Sequence, residues 1–305
     1  MSTPTLLVGT RASDLALTQS AWAAGRIAEP AGGSFELVHI RTEGDINLGP
    51  LANIGGTGVF VTAVRAALVD GRCDAIVHSF KDLPTAPADG IALAAVPVRE
   101  DPADALCARD GLTLETLPRG ATVGTGSPRR AAQVLRVRPD LRIVPIRGNV
   151  ATRLGKVGAD GLDAVVLARA GLARLGLTAA ITQQLGPEIM LPAPSQGALA
   201  VECRTADADT SWYSMGFQAL DDAPTRACAT AERALLATLE AGCTAPVGAL
   251  AQVTDDRLTL RAVVIAPDGR DEVRAESEGA VGEAASLGTD LAREMLGRGA
   301  ARLLV

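Results

Sequence analysis

Aromatic side chains are scarce in this sequence, at 2% of 305 residues, so alanine, valine and leucine must fill most of the core. Lysine is scarcer still: it occurs only at Lys81 and Lys156, and arginine supplies the other basic residues. The net charge of −6 argues against a general nucleic-acid binder, which usually presents a basic face. No apolar run is long enough to span a bilayer, so we expect no membrane partner.

Closely spaced metal ligands are also lacking. The five cysteines are scattered without a C-x-x-C pair, and there are only two histidines, which excludes the usual structural zinc motifs. An odd number of scattered cysteines suits a reducing compartment. The first residues lack a basic stretch followed by an apolar one, so we expect no signal peptide and a cytoplasmic location.

Strand-like and helix-like segments alternate through two stretches of the chain, roughly residues 5–79 and 121–168. This alternation predicts two α/β units with parallel sheets covered by helices. Prolines near residues 97–102 predict a hinge between them. A helix near 224–240, three antiparallel strands within 247–276 and a last helix near 283–296 predict a small C-terminal α+β unit.

Polar motifs follow two of the predicted strands in the first unit. Arg11 lies in a strand-to-helix turn where backbone N–H groups could hold an anion, although this motif by itself favours a plain turn. Lys81 and Asp82 follow a buried strand, where α/β proteins place their ligands. Lys81 can neutralise an anion and Asp82 can stabilise a developing cation; the alternative is a solvated ion pair.

Arginines cluster in the second unit, with nine between Arg129 and Arg174. Ser127 and Pro128 predict a helix start, which puts Arg129 and Arg130 in the first turn. Cations there oppose the helix dipole unless an anion lies between them, so the motif predicts an anionic ligand. It lacks the G-K-[ST] ending of a P-loop. Further arginines follow later strands, namely Arg147, Arg153 and Arg174. Together these arginines indicate a site for several carboxylates.

Taken together these segments resemble the porphobilinogen deaminase family, nearly from end to end. The similar segments are residues 9–19, 42–60, 78–85, 123–130, 146–149, 193–199 and 242–243. The resemblance implies two periplasmic-binding-protein-like α/β domains plus a small C-terminal α+β domain. The corresponding boundaries are residues 1–98 with 198–219, residues 99–197, and residues 220–305.

The resemblance also implies a dipyrromethane cofactor, attached to Cys243 by a thioether. The implied activity is that of a hydroxymethylbilane synthase, a transferase that condenses four porphobilinogen molecules with loss of ammonia. The implied catalytic group is Asp82. By the same resemblance the cofactor is bound by Lys81, Thr125, Ser127, Arg129, Arg130 and Arg147. The substrate and growing polypyrrole chain are bound by Arg11, Ser13, Gln19, Arg153, Arg174 and Gln196.

We therefore expect a cytoplasmic monomer in tetrapyrrole biosynthesis that binds porphobilinogen but neither nucleic acid nor membrane, and needs no metal. Two rival functions remain: an anion receptor that turns nothing over, and a transferase acting on a phosphorylated substrate. The sequence departs from the family pattern at Thr57, Gly126, Pro128 and Arg169, and along residues 205–217.

Overall fold

The computed structural model describes residues 3–40, 58–158, 161–241 and 245–304. Its elements, numbered in chain order, begin with β1 (Thr5–Thr10), α1 (Asp14–Ala28), β2 (Ser34–His39), α2 (Gly58–Val69), β3 (Ala75–Ser79), β4 (Ile91–Ala95), β5 (Asp104–Ala108), β6 (Thr122–Gly124) and α3 (Pro128–Val137). They continue with β7 (Arg142–Val144), α4 (Val150–Leu154), β8 (Ala164–Ala168), α5 (Arg169–Arg174), β9 (Gln183–Leu185), β10 (Leu199–Arg204), α6 (Ser214–Leu220) and α7 (Ala223–Thr238). The last are β11 (Val247–Thr254), β12 (Arg257–Ile265), β13 (Glu272–Ala280) and α8 (Ala284–Gly297).

The chain divides into two compact units. Unit 1 comprises Met1–Arg99 and Ala198–Arg226, and unit 2 comprises Glu100–Gly197 and Ala227–Val305. Unit 2 carries two sheets, so the three-domain boundaries expected from the sequence stay a prediction. The hinge predicted near residues 97–102 coincides with the first division between the units. Among the described residues, no helix is both long and apolar enough to cross a membrane.

Each unit contains a five-stranded mixed sheet of the same design. The order is β2-β1-β3-β10-β4 in unit 1 and β7-β6-β8-β5-β9 in unit 2. Four strands of each sheet run in the same direction, and the fourth strand in order, β10 or β5, runs antiparallel to both of its neighbours. The expectation of parallel sheets was therefore wrong in this respect. A strand buried on both faces has a continuous apolar pattern in either direction, so periodicity cannot report its orientation.

Small aliphatic residues do most of the packing, as the scarcity of aromatics requires. In unit 1, Ala23, Ala24 and Ile27 of α1 are fully buried against one face of the sheet. On the opposite face α2 buries Val64 and Leu68, which pack together with Ile76 of β3. Helices therefore cover both faces, which leaves the ends of the strands as the place for polar side chains.

The C-terminal part of unit 2 is the predicted α+β unit. Strands β11, β12 and β13 form an antiparallel sheet in that order, and helices α7 and α8 bury their apolar faces in its core. A small buried cluster connects this sheet to α3, and its members are Ala132, Leu191, Leu250, Val263 and Ile265. Apolar packing therefore holds the two sheets of unit 2 together.

Candidate functional site

Polar residues of unit 1 gather at one edge of its sheet. Strands β1 and β3 are parallel neighbours, so their carboxyl ends lie at the same edge. Arg11 and Ser13 follow β1, and Lys81 and Asp82 follow β3. Ser13 caps α1, its Oγ accepting from the Ala16 backbone N–H at 3.4 Å. The residues predicted from separate motifs therefore share one sheet edge, the usual ligand edge of α/β folds.

The Lys81–Asp82 pair lies in a single 3₁₀ turn between two buried anchors. The turn spans Phe80–Asp82, and both Phe80 and Leu83 are almost completely buried. The Phe80 backbone N–H donates to the carbonyl of Ala198 at 3.0 Å, which attaches the turn to the start of β10. Asp82 is exposed and Lys81 is half-buried. The buried anchors thus fix the backbone of the turn that presents the Asp82 carboxylate to solvent.

Gln19 was predicted to bind substrate, but the structure places it inside unit 1. It is 5% exposed, and its Nε2 donates to Ser79 Oγ at 3.1 Å. Ser79 is the last residue of β3, directly before the turn that carries Lys81 and Asp82. The described contact of Gln19 therefore supports the turn from the α1 side.

The polar residues of unit 2 gather at a corresponding edge. Strand β6 is parallel to β7 on one side and to β8 on the other, so the three carboxyl ends are neighbours. Ser127 caps α3 by accepting from the Arg130 N–H, with Pro128 in the first turn, which confirms the predicted helix start. Arg147 follows β7 and is exposed, and Arg153 on α4 is half-buried. The convergence of arginine-bearing strand ends inferred from the sequence is thus present in the sheet order.

Arg129 and Arg130 surround a buried carboxylate that the sequence analysis missed. Asp104, the first residue of β5, is completely buried. Arg129 Nη1 lies 2.7 Å from its Oδ2, and Arg130 Nη2 lies 2.8 Å from its Oδ1. Asp104 supplies an internal anion in the first turn of α3, where the sequence analysis expected a ligand. One carboxylate between two guanidinium groups still leaves one net positive charge.

The electrostatics of this cluster keep Asp104 ionised. Burial raises the pKa of Asp104, but the positive charges of Arg129 and Arg130 and hydrogen bonds from Arg129 and Gln196 outweigh it, so the pKa lies below its ordinary value. Burial lowers the pKa of Arg129, and Asp104 opposes that shift. An acidic residue at the start of the apolar strand DALCA was the sequence signal for this site.

The two arginines differ in how many of their nitrogens are occupied. Arg130 donates from Nε to Asp104, from Nη1 to the Val166 carbonyl and from Nη2 to Gln196 Oε1. The contacts of Arg129 to described residues all run through Nη1, to Asp104 and to the Leu191 carbonyl. Arg129 therefore has more N–H donors left for a ligand than Arg130, whose three nitrogens each make at least one contact to the protein. Thr125, also buried, accepts from the Ser127 N–H at 3.1 Å.

Gln196 and Arg174 secure the crossover that ends the first segment of unit 2, Glu100–Gly197. Gln196 is completely buried and donates to the Pro102 carbonyl at 2.7 Å and to Asp104 at 2.9 Å. Arg174 Nη2 donates to the Gly197 carbonyl at 2.6 Å, and burial lowers the pKa of Arg174. Gly197 has φ +90°, and a Cβ there would lie 2.3 Å from the Glu100 carbonyl oxygen. Only glycine fits at this position.

Two of the departures from the family pattern have local structural counterparts. A Cβ at Gly126 would lie 2.7 Å from the Ile146 carbonyl oxygen, so a larger residue there would require a shift of the backbone. Arg169 pairs with two acidic residues of the segment between β4 and β5, with Nη1 3.3 Å from Glu100 and Nε 3.4 Å from Asp101. Thr57 lies outside the described residues.

The predicted attachment residue, Cys243, also lies outside the described residues. The other four cysteines are buried: Cys73, Cys107, Cys203 and Cys228. Burial raises the pKa of the Cys73, Cys107 and Cys203 thiols to about 11. Such thiols are almost entirely protonated at neutral pH and react slowly. Among the described cysteines, these three are thus unsuited to attachment chemistry.

The fold and the two sheet edges define a class of two-unit α/β proteins. One sheet edge is rich in arginines and suits carboxylate ligands, and the other sheet edge carries an exposed aspartate. Two known family domains match the sequence and identify the family within this class. "Porphobilinogen deaminase, dipyromethane cofactor binding domain" matches residues 6–211, and "Porphobilinogen deaminase, C-terminal domain" matches residues 226–297. The chain belongs to the porphobilinogen deaminase family.

Relatives of that name match almost the whole chain. Porphobilinogen deaminase of Thermobifida fusca is 54% identical, over 100% of this chain and 97% of its own. That of Cutibacterium acnes is 54% identical, over 96% of this chain and 95% of its own. That of Mycobacterium tuberculosis strain H37Rv is 53% identical, over 97% of each chain.

Solved structures with a similar fold include transport receptors. A periplasmic substrate-binding protein of an ABC transporter from Coxiella burnetii has a TM-score of 0.44 at 16% identity, over 70% of this chain and 91% of that chain. The aliphatic sulphonate binding protein SsuA of Escherichia coli has a TM-score of 0.40 at 14% identity, over 78% of this chain and 71% of that chain. These scores are too low to support an inference, and the α/β fold class is confirmed by the sheets themselves.

Proposed function

We propose that the chain catalyses the hydroxymethylbilane synthase reaction, the condensation of four porphobilinogen molecules into a linear tetrapyrrole with release of ammonia. The full-length family relationship carries this proposal. The two sheet edges support it, because one presents arginines and the other an exposed carboxylate. The chain is a transferase of tetrapyrrole biosynthesis, and we further propose that it works as a cytoplasmic monomer.

The residues at the edge of unit 2 fit a dipyrromethane cofactor. This group carries acetate and propionate side chains, so it needs guanidinium and N–H donors. Ser127 and Arg147 are not buried, and Arg129 keeps donors beyond its contacts to described residues. We assign cofactor binding to these residues together with Thr125, Arg130 and Lys81. When bound, the cofactor supplies the free pyrrole carbon to which the first substrate is joined.

Asp82 is the proposed catalytic group. Loss of ammonia from porphobilinogen and the following carbon–carbon coupling each place positive charge on a pyrrole ring. A carboxylate near that charge stabilises the transition state, whereas a lysine would oppose it. Lys81, the neighbour in the same turn, can instead neutralise a substrate carboxylate. Substrate and chain binding is assigned to Arg11, Ser13, Gln19, Arg153, Arg174 and Gln196. Gln19 and Gln196 also support their surroundings through the buried contacts described above.

Intact mass spectrometry and an activity assay test this function together. The purified protein should carry the mass of a dipyrromethane, and Cys243→Ser should lose it. Cys228→Ser, at a buried cysteine on α7, is the matched control and should keep both the adduct and ammonia release from porphobilinogen. An anion receptor would show the bare polypeptide mass and release no ammonia. An adduct that persists in Cys243→Ser would show that the attachment residue is misassigned.

A further inference from the structure

A second buried carboxylate, Glu202, lies in unit 1 beneath helix α2. Its side chain is 6% exposed and pairs with Arg65, with Nη2 2.5 Å from Oε1 and Nε 2.9 Å from Oε2. His78 Nε2 lies 3.3 Å from Oε2 of the same carboxylate. Apolar side chains pack nearby on this face of the sheet, among them Ile76 and Leu68. Three polar groups thus form a compact network in an otherwise apolar layer.

The strand register explains how this network reaches the turn that carries Asp82. In the antiparallel pair of β3 and β10, Glu202 is opposite Ile76, and His78 is opposite Ala200. Side chains two residues apart on a strand share a face, so His78 and Glu202 are diagonal neighbours. His78 is the second-last residue of β3, and the turn begins two residues later.

The last two residues of β3 are therefore held from opposite faces of the sheet. His78 contacts Glu202 on the α2 side, and Ser79 contacts Gln19 on the α1 side. Apolar packing alone would restrain this strand end only weakly along its own axis, because dispersion contacts have little directionality. The bidentate Arg65–Glu202 pair fixes direction as well as distance, and the His78 imidazole contacts the same carboxylate at 3.3 Å.

The charge state of Glu202 suits this role. Burial raises the pKa of Glu202, but hydrogen bonds and charge from His78 and Arg65 bring it down to about 2. The carboxylate is thus ionised throughout the physiological range. A buried ion pair is often no more stabilising than apolar residues of the same volume, so its presence here calls for a reason other than stability.

We propose that Glu202 is a positioning residue: through His78 it fixes the end of β3, and with it the orientation of the Lys81–Asp82 turn. This inference rests on the proposed function, since it assumes that Asp82 acts on the substrate. Glu202 does not itself touch the reacting atoms in this scheme. Its partner Arg65 connects the same carboxylate to α2.

The decisive experiment compares Glu202→Gln with a control at the opposite end of the same strand. Asp74 directly precedes β3 and pairs with Arg204 of β10 at 3.2 Å, so Asp74→Asn removes a comparable charge away from the turn. We expect Glu202→Gln to lower kcat between about tenfold and a hundredfold, as misplacement of a catalytic group does. KM should change less than about threefold, the adduct mass should be retained, and Asp74→Asn should keep the wild-type kcat.

Imidazole NMR gives a readout that a loss of stability alone would not produce. The chain has two histidines, His78 in the network and the exposed His39, so the ring ¹⁵N signals are readily assigned. Glu202→Gln should shift the His78 ring signals and leave those of His39 unchanged. Glu202→Asp, which keeps the charge, should recover part of the lost kcat.

If Glu202→Gln does not fold, the double variant Glu202→Leu with Arg65→Leu replaces the pair by apolar side chains and should fold. Its kcat should fall in the same way. A wild-type kcat in either variant would overturn the positioning role. A wild-type kcat in Asp82→Asn, measured in parallel, would instead refute the catalytic assignment in the proposed function.

Discussion

The buried carboxylate of Asp104 offers the sharpest test of the electrostatics in unit 2. The substitution Asp104→Asn keeps the shape of the side chain but removes the only negative charge shown in contact with Arg129 and Arg130 within the described chain. Both arginines are at least nine-tenths buried. Breaking a buried ion pair by removing one partner costs about 3–5 kcal/mol, because the remaining charge is left uncompensated. We expect a loss of this size in the free energy of unfolding.

A partly exposed pair in the same unit provides the control. Arg138 and Asp140 are joined at 2.8 Å, with side chains 19% and 24% exposed. Asp140→Asn should cost far less than Asp104→Asn, because solvent screens the remaining arginine. The contrast between the two variants isolates the effect of burial from that of losing an arginine–aspartate contact.

Urea unfolding measures both variants, and the positions of the tryptophans help to interpret it. Trp22 and Trp212 both belong to unit 1, so their fluorescence follows that unit, while far-ultraviolet circular dichroism follows the whole chain. The dichroism transition should move to lower urea in Asp104→Asn. The adduct mass should be recorded for each sample, because bound cofactor also stabilises the folded state.

The pH dependence of stability gives an independent check that ionised Asp104 stabilises the folded protein. The pKa of Asp104 lies below its ordinary value in the folded protein. Its stabilising effect is therefore complete above the unfolded-chain pKa of about 3.9 and is lost as the pH falls below it towards the folded-state pKa. Asp104→Asn should flatten this acid dependence. A variant within about 1 kcal/mol of wild type, with an unchanged acid slope, would refute the ion-pair argument.

Three further predictions concern the turn, the arginines and the crossover. Asp82→Asn should keep the adduct mass but lower single-turnover rates by orders of magnitude, whereas Lys81→Gln should mainly weaken binding. Near-normal single-turnover rates in Asp82→Asn would contradict a catalytic role for Asp82. By mass spectrometry, Arg129→Leu should purify mostly without the cofactor adduct, whereas Arg11→Leu should carry the adduct but fail to elongate the chain. An Arg129→Leu protein that carries the adduct and is active would disprove these separate roles. Gly197→Ala should lose at least about 2 kcal/mol in urea unfolding because of its positive φ and the Glu100 carbonyl; an unchanged midpoint would be contrary evidence.

Local sequence patterns were sufficient to predict some of the helices and strands. The helix after Ser127 begins as capping chemistry requires, and the apolar run before Lys81 is the buried strand β3. The predicted end of the last strand, near residue 276, was four residues short, because β13 continues to Ala280 along its pairing with β12. Exposed strand ends lose their alternating pattern, so only the partner strand reveals their length.

Long-range pairing could not be predicted in the same way. Strand β10 lies between β3 and β4, although it follows β4 by more than a hundred residues in the chain. The buried carboxylates Asp104 and Glu202 also depend on partners outside their own strands: Arg129 lies 25 residues after Asp104, and Arg65 lies 137 residues before Glu202. A single acidic residue in an apolar strand marks such a position, but nothing nearby indicates which cation it meets.

The position of β10 also has a consequence for the order in which the protein can be assembled during synthesis. Within the described part of the chain β4 pairs with β10 alone, so it stays unpaired until residues 199–204 have left the ribosome. By then all residues of the second five-stranded sheet have already been made. Synthesis of the sheet of unit 1 thus begins first, but this sheet can be completed only after all strands of the five-stranded sheet of unit 2 have been made. The turn carrying Asp82 acquires the carbonyl of Ala198 and the carboxylate of Glu202 only at that late stage.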